Sequence, residues 1–418
     1  MRVLLVTVGS HGDIHPYIAL ARALHARGHH APILTNPYFA RVIENAGLEC
    51  LPIGEPLDLR EVISSKPVMD PRRGPMTVMR DLMLPVVGQV YERTLHALRE
   101  TRADSCVAHP ICMGAAWACE RAGVPCDVGS LSPSIWFTPS DPLVMLSWSP
   151  ADPPRWFVRL QCWAGRIVMR LALDGELNRL RRDFGFSPAR DIFLTEAMAG
   201  RHNLALWSPR FRPRLEGDPP TARVCGFPWF DTVREPDPDW EQIARFLEEG
   251  DAPIVFTLGT AAVHAAGDFY EHAARAAKAL GRRAVLLIGR GERPPADLPP
   301  GVRAFEYAPF SKLLPRAAAI VHQAGVGTTA QVLRSGRPSV PVPFAHDQFD
   351  NAARLQRLGV ARIVKRGRGL TDRLTGALRL VLDDPAYSRR SAAEGREIVR
   401  EDGAAVAADI ITGAVPAA

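Results

Sequence analysis

Three short segments carry residue types that could do chemistry together. The first apolar run ends in Gly9-Ser10-His11-Gly12-Asp13-Ile14-His15-Pro16, where two glycines permit a tight turn and Pro16 suits the first turn of a helix. Asp13 there is either a helix cap or a proton acceptor. His11 and His15 are nearby imidazoles, with His11 the better placed as an alternative base. The second segment is HQAGVGTTAQVLRSG, residues 322–336, between an apolar run and a helical pattern. Gly325 and Gly327 allow close backbone approach, and Thr328 and Thr329 fall where a helix start leaves N–H groups free, so a diphosphate fits. His322 can donate a further hydrogen bond to phosphate, charge-assisted if protonated. The third segment, Ala345 to Asn351, crowds His, Asp, Gln, Asp and Asn at a strand's end. Asp347 beside Gln348 offers the acceptor and donor pair that adjacent sugar hydroxyls need, although a polar loop taken alone is usually solvated and Asp347 is a fair cap.

A competing reading uses the same residues. Gly325-x-Gly327-x-x-Ala330, with Asp347 roughly 20 residues on, also satisfies the dinucleotide fingerprint of an NAD-dependent dehydrogenase. Against it, the motif follows the fourth strand of its half and no hydride-transfer constellation accompanies it. The Gly9–Pro16 loop lacks the third glycine, and the second strand ends in Thr35-Asn36 instead of an acid.

The elements that must position these groups alternate between strands and helices. Strands are expected at Arg2 to Val8, His30 to Thr35, Leu48 to Ile53, Ser105 to Ala108, Val124 to Ser130 and Leu204 to Trp207, with a helix from Pro16 to Arg27. After a Pro-rich stretch from Pro228 to Trp240, strands follow at Ile254 to Thr257, Ala284 to Ile288, Val302 to Phe305, Ala319 to His322 and Val340 to Val342, each with a helix behind it. Such alternation predicts α/β architecture: two Rossmann-like, doubly wound sheets with strand ends lining a cleft. The expected halves are residues 1–232, for an acceptor, and 233–418, for a donor, with the last helix a candidate to pack back on the first half. Asp237-Pro-Asp239 matches a metal-holding Asp-x-Asp pattern but lies in the Pro-rich connection, so no metal site is assigned. In residues 155–173, Trp156, Leu160, Trp163, Ile167 and Leu171 recur at helical spacing. Core packing is the favoured reading, and a lid over a hydrophobic acceptor or a lipid-touching surface the sharper one.

At 418 residues, with 47% hydrophobic and 23% charged, the chain suits two globular domains. A net charge of +6 arises from scattered Arg residues without a nucleic-acid motif, so no nucleic-acid partner is expected. Seven Cys without a Cys-x-x-Cys pair read as buried free thiols of a reducing compartment. No apolar run approaches the ~18 residues of a membrane span, and no leader pattern opens the chain; the expectation is a cytoplasmic protein, with contact at the inner membrane face left to the 155–173 segment.

The run from His322 to Leu355 resembles the donor-binding region of glycosyltransferase family 1, which includes sterol, antibiotic and rhamnolipid glycosyltransferases. The resemblance implies a GT-B fold and inverting, metal-independent transfer of a hexose from a UDP- or dTDP-sugar co-substrate, with no cofactor. On the family's pattern, His322, Gly327, Thr328 and Thr329 would bind the diphosphate and Asp347 and Gln348 the sugar. The segment Phe256 to Thr260 resembles the loop whose Gly259-Thr260 adds a phosphate contact, and Tyr307-Ala308-Pro309 the segment around the nucleobase. Asp13 matches the catalytic His or Asp of the family's Gly-x-x-Gly-(His/Asp)-x-x-Pro loop, and Ala324 stands where the family usually has Gly. Gly226 to Asp231, RFLEEGDAPIVFTLGT, GDFY at 267–270 and AHDQFDNAARL resemble the rhamnolipid branch. That branch implies a hydroxy-fatty-acid acceptor, while the stripe from Trp156 to Leu171 and the aromatic cluster around Trp136 and Phe137 lead to the expectation of an amphiphilic one, such as a hydroxy-fatty acid, sterol or polyketide, with Trp136 and Phe137 as candidate contacts. The same fold also accommodates a sugar-nucleotide epimerase, which needs no acceptor, or a non-catalytic sugar-binding partner.

Overall fold

The structure, a computed structural model, describes residues 1–65, 67–231 and 238–414. The apolar, β-branched runs form two all-parallel sheets. In the first, β1 (Val3–Val6), β2 (Ile33–Thr35), β3 (Cys50–Pro52), β4 (Ser105–Ala108), β5 (Cys126–Ser130), β6 (Asn203–Ala205) and β7 (Ala222–Val224) lie in the order β3-β2-β1-β4-β5-β6-β7. The second contains β8 (Ile254–Thr257), β9 (Ala284–Leu287), β10 (Val302–Phe305), β11 (Ala319–His322) and β12 (Ser339–Pro341), ordered β10-β9-β8-β11-β12. Strand order reverses between β1 and β4 and between β8 and β11, the two places where loops at the strands' carboxyl ends part and leave a crevice. Gly9–Pro16 follows β1 and Gln323–Gly325 follows β11, so the chemistry-bearing segments flank these crevices.

Four features depart from the sequence expectation. The edge strand β7 is not among the strands expected in the first half. Between β9 and β10 no helix forms, because Pro294, Pro295, Pro299 and Pro300 remove the amide donors a helix needs. The helix expected from Pro16 begins at His11, with Ser10 as N-cap and Pro16 inside it. The apolar stripe of residues 155–173 does not face the core. Its helix, Arg155–Asp183, buries Val158, Cys162, Leu173 and Leu177, and leaves Trp156, Leu160, Trp163 and Leu171 exposed. Both faces are apolar, and periodicity cannot say which one a neighbour covers.

Two of the ties between the halves bear on the site. The helix Gly403–Thr412 crosses to the first sheet, where Ala407, Ala408 and Ile411 join Val3, Leu5, Tyr17 and Ile18 in one core and Arg27 Nε meets Asp409 at 2.6 Å. The second tie is a buried charge network. Arg354, on the helix Gln348–Arg357, donates to Asp350 at 2.7 Å and across the halves to Asp141 at 2.8 Å. Asp141 also accepts from Arg212 at 2.9 Å, and Asp350 from the Val144 amide at 3.0 Å. Removing one partner strands the other charges away from water. Arg354→Met is expected to cost about 3–5 kcal/mol of stability, read as a large fall in denaturant midpoint; a change near zero would show the network adds nothing.

Candidate active site

The diphosphate half of the site is built by β11 and the helix Val326–Ser335. His322 is fully buried at the strand's end, and burial lowers its pKa to about 3, so the imidazole is neutral. Charge assistance from a protonated His322 is therefore corrected to a neutral N–H donor. The Ala324 amide donates to His322 Nδ1 at 3.2 Å, which leaves the proton on Nε2, and among the described residues Nε2 has no hydrogen-bond partner. A buried donor left unsatisfied costs stability, so its persistence points to a ligand. Beside it, Gly325 caps the helix without a side chain, and the first-turn amides of Gly327 and Thr328 stay open to an anion. Thr329 Oγ1 is buried without a hydrogen-bond partner among the described residues, whereas Thr328 Oγ1 accepts from Gln323 at 3.2 Å. Ala324 adopts φ +68°, a left-handed conformation that disfavours any side chain and accounts for glycine as the family's usual choice there. Gly259 backs onto Gln323, where a β-carbon would come within 2.2 Å of its amide, and Thr260 is exposed beside it.

The sugar-binding candidates lie at the start of the next helix. Asp347 is half-buried at the N-cap position but makes no capping bond; its Oδ2 instead accepts from Asn351 Nδ2 at 2.8 Å. Burial raises its pKa to about 6, with the Asn351 hydrogen bond opposing and the Asp13 charge adding to the rise. Gln348 is committed in part to structure, because its Oε1 accepts from the amides of Phe344 and Ala345 at 2.8 and 3.2 Å. Its amide donor is what remains for a sugar. Further out, the Tyr307 amide donates to Asp239 at 3.4 Å, and Ala308 is buried behind it. Asp237, the other acid of that pair, lies outside the described residues.

Across the gap, Asp13 does two things with two oxygens. Oδ2 accepts from the Ser10 amide at 2.7 Å and the Ser10 hydroxyl at 3.0 Å, completing a reciprocal capping box. Gly9, at φ +128°, has to be glycine, since a β-carbon would fall 2.4 Å from that oxygen. Oδ1 faces His109 Nε2 at 3.9 Å. His109 follows β4, and sequence reading missed it although a polar residue at a switch-point strand end was the available signal. Burial lowers its pKa, partly offset by Asp13, and its Nδ1 accepts from the Ile111 amide at 3.3 Å, so the proton faces Asp13. His11 packs edge-on against Phe39, with its pKa lowered to about 4 by burial and then by Arg290; His15, lowered to about 3 by burial, lies against Phe230. The two loops meet closely: a β-carbon on Gly327 would stand 4.0 Å from the Gly12 Cα. The acceptor assignment of Trp136 and Phe137 is corrected. Trp136 is 1% exposed against Trp207 and donates to Ser130, and Phe137 lies under the helix Arg155–Asp183, so both rings serve the core.

Two facing parallel sheets, with an anion-ready helix start on one side of the cleft and a carboxylate on the other, give the chain the GT-B fold. Residues 3–116 match the glycosyltransferase family 28 N-terminal domain and residues 276–410 the erythromycin biosynthesis protein CIII-like C-terminal domain. The chain is 31% identical to the O-mycaminosyltylonolide 6-deoxyallosyltransferase of Streptomyces fradiae, over 96% of this chain and 95% of that one. It is 23% identical to a sterol 3-beta-glucosyltransferase of Arabidopsis thaliana, over 98% of this chain and 67% of the relative. Its fold matches the glycosyltransferase VinC, solved in complex with dTDP, with TM-score 0.66 at 20% identity and 99% of both chains covered. The chain belongs to the family 1-type glycosyltransferases.

The raised pKa of Asp347 gives a pH dependence with a definite sign. A carboxyl protonated below about pH 6 has lost acceptor capacity toward sugar hydroxyls, so donor affinity should fall as pH drops through that value. Calorimetric titration of a nucleotide sugar between pH 5 and pH 8 should show the fall in the wild type and a weak, flat profile in Asp347→Asn. Equal affinity across the range would remove Asp347 from sugar binding.

Proposed function

We propose that the protein transfers a hexose of the rhamnose or glucose type, with inversion and without a metal, from a UDP- or dTDP-sugar to a hydroxyl of a hydrophobic acceptor. The observation that carries this reading is the unpartnered Nε2–H of buried His322 beside an open helix start, facing a loop whose Asp13 keeps one oxygen free of the capping box. In the reaction the acceptor hydroxyl gives its proton to Asp13 Oδ1 as its oxygen forms a bond to the anomeric carbon. The bond from that carbon to the diphosphate oxygen breaks, and its electron pair leaves with the diphosphate. Attack from the Asp13 side and departure on the His322 side support inversion in one displacement. His109 is a positioning residue, its Nε2–H directed at the carboxylate that must collect the proton. Fixed donors from His322 and the first turn after Gly325 stabilise the charge growing on the leaving group, which is the electrostatic work a metal would otherwise do.

The hydrophobic acceptor rests on the tylonolide and sterol activities for which the relatives are named and on the likeness to the rhamnolipid branch. The nucleotide choice draws on the dTDP held by a structural neighbour. Seven free cysteines suit work in a reducing cytoplasm, and a lipophilic acceptor gives reason for peripheral contact with a membrane.

Two measurements test the reading. A panel of UDP- and dTDP-sugars should raise the melting temperature in excess chelator, with transfer to hydroxy-fatty acids, sterols or polyketides proceeding there at full rate. A strict need for a divalent ion would overturn the phosphate-site argument, and sugar isomerisation without acceptor would show an epimerase. Asp13→Asn keeps an oxygen for Ser10 but loses the base, so single-turnover transfer should fall roughly 10²-fold or more with melting temperature nearly unchanged. Near-normal transfer would pass the role of base to His11.

A further inference from the structure

The helix Arg155–Asp183 presents an apolar face to solvent. Trp156 is 67% exposed, Trp163 63% and Leu171 78%, with Leu160 and Val168 also exposed between them. Trp148, in the preceding loop, extends the face; its ring lies 5.7 Å from Phe157, which in turn lies 5.6 Å from Trp156. These side chains have no inward alternative. On the opposite side Val158 and Cys162 are in the core, and Gly165 is so close to Phe137 that a β-carbon would stand 2.5 Å from its ring. The helix is therefore held with this face outward.

A basic row runs beside the apolar one. Arg155, Arg159, Arg166 and Arg170 each directly precede a member of the stripe, Trp156, Leu160, Ile167 and Leu171, so the two rows run in parallel along the helix. No acidic residue occurs between Pro153 and Leu173. Arg166 approaches Asp191 at 3.8 Å, whereas Arg155, Arg159 and Arg170 have no ion-pair partner among the described residues. Among the described residues no helix is long and apolar enough to cross a membrane.

We propose that this face is a docking surface for an anionic lipid bilayer, on which the helix lies flat with Trp148, Trp156 and Trp163 at headgroup depth and the arginine row against lipid phosphates. The composition is that of an in-plane interfacial helix: Trp and Leu on one face, Arg on its flank, no acid between. Tryptophan favours the headgroup boundary because its ring is apolar and its N–H polar, and arginine can lay its stem on apolar surface while its guanidinium reaches phosphate. A protein partner's apolar patch would leave the arginine row without counter-charge, whereas anionic lipid supplies it. The loop bearing Trp148 also contains Asp141, Pro142 and Val144, which bond to Arg354, Arg357 and Asp350 of the donor half. Docking thus places the cleft beside the surface in which a lipophilic acceptor dissolves. The proposal rests on that reading of the acceptor for its purpose, while vesicle binding itself requires no turnover.

The test is cosedimentation of the full chain with vesicles of phosphatidylcholine alone and with phosphatidylglycerol added, without donor or acceptor. Binding is expected to the anionic vesicles, weakening with salt, with tryptophan emission shifted to the blue and quenched by brominated acyl chains. At about fivefold per cation, Arg155→Gln/Arg159→Gln/Arg170→Gln should weaken partitioning by about 10²-fold. Trp156→Ser/Trp163→Ser should abolish it. Both variants should retain the wild-type melting temperature and transfer to a water-soluble acceptor, since every substituted side chain lies at the surface. Absent binding, equal binding to both vesicle types, or unchanged binding by the variants overturns the proposal. So does a solution dimer that Trp156→Ser dissociates, which would make the face a contact between copies. Failure of the transferase reading would appear separately, as absence of transfer in the soluble assay.

Discussion

The guanidinium of Arg354, enclosed with Asp141, Asp350 and Arg212, is the constraint on which the site's geometry depends. A charge that deep tolerates only one arrangement of partners, because any shift exposes an unpaired ion to an environment that cannot solvate it. Its partners come from both halves of the chain, and its own helix begins with Asp347 and Gln348. The loop on the other side of the ion pair continues into the helix Arg155–Asp183. One buried network therefore fixes the donor helix against the acceptor-side framework, and the crossing of the C-terminal helix onto the first sheet secures the same relation from the other end.

Once the halves are held this way, the chemistry follows from desolvation. The Gly12 and Gly327 backbones approach one another across the gap, and burial of the His322 and His109 rings beside it disfavours their charged forms, at His109 against the opposing Asp13 charge. A neutral imidazole keeps one N–H whose direction is set by what the other nitrogen accepts, so the Ala324 amide aims His322 and the Ile111 amide aims His109. Both donors are fixed before any substrate arrives, and fixed donors stabilise developing charge without having to reorganise. Asp13 is held by the same economy of contacts, one oxygen tied to Ser10 and the other turned toward the gap.

Much of this was legible in the sequence. Strands β4, β8 and β11 are bounded as their apolar runs suggest, because parallel strands covered on both faces read as continuous hydrophobic segments. The placement of Gly, His and Thr after β11, and of Asp13 after β1, is likewise local information: a glycine-bearing turn and an open helix start depend on a few neighbouring residues. Residue type and spacing thus determined the fold class and the two loops that bear the chemistry.

Only the tertiary structure decided what depends on residues far apart in the chain. His109 meets Asp13 because β4 pairs with β1; the sequence shows a polar residue at a strand end but not the partner that pairing brings to it. Burial, not residue type, makes His322 neutral and raises Asp347. Trp136 and Phe137 read as candidate contacts for a hydrophobic ligand, yet packing against Trp207 and the Arg155–Asp183 helix assigns them to the core. The stripe from Trp156 to Leu171 read as core, yet the opposite face of its helix won the interior. An amphipathic period records that a side chain is apolar, whereas its exposure is set by which neighbour the rest of the chain brings to it.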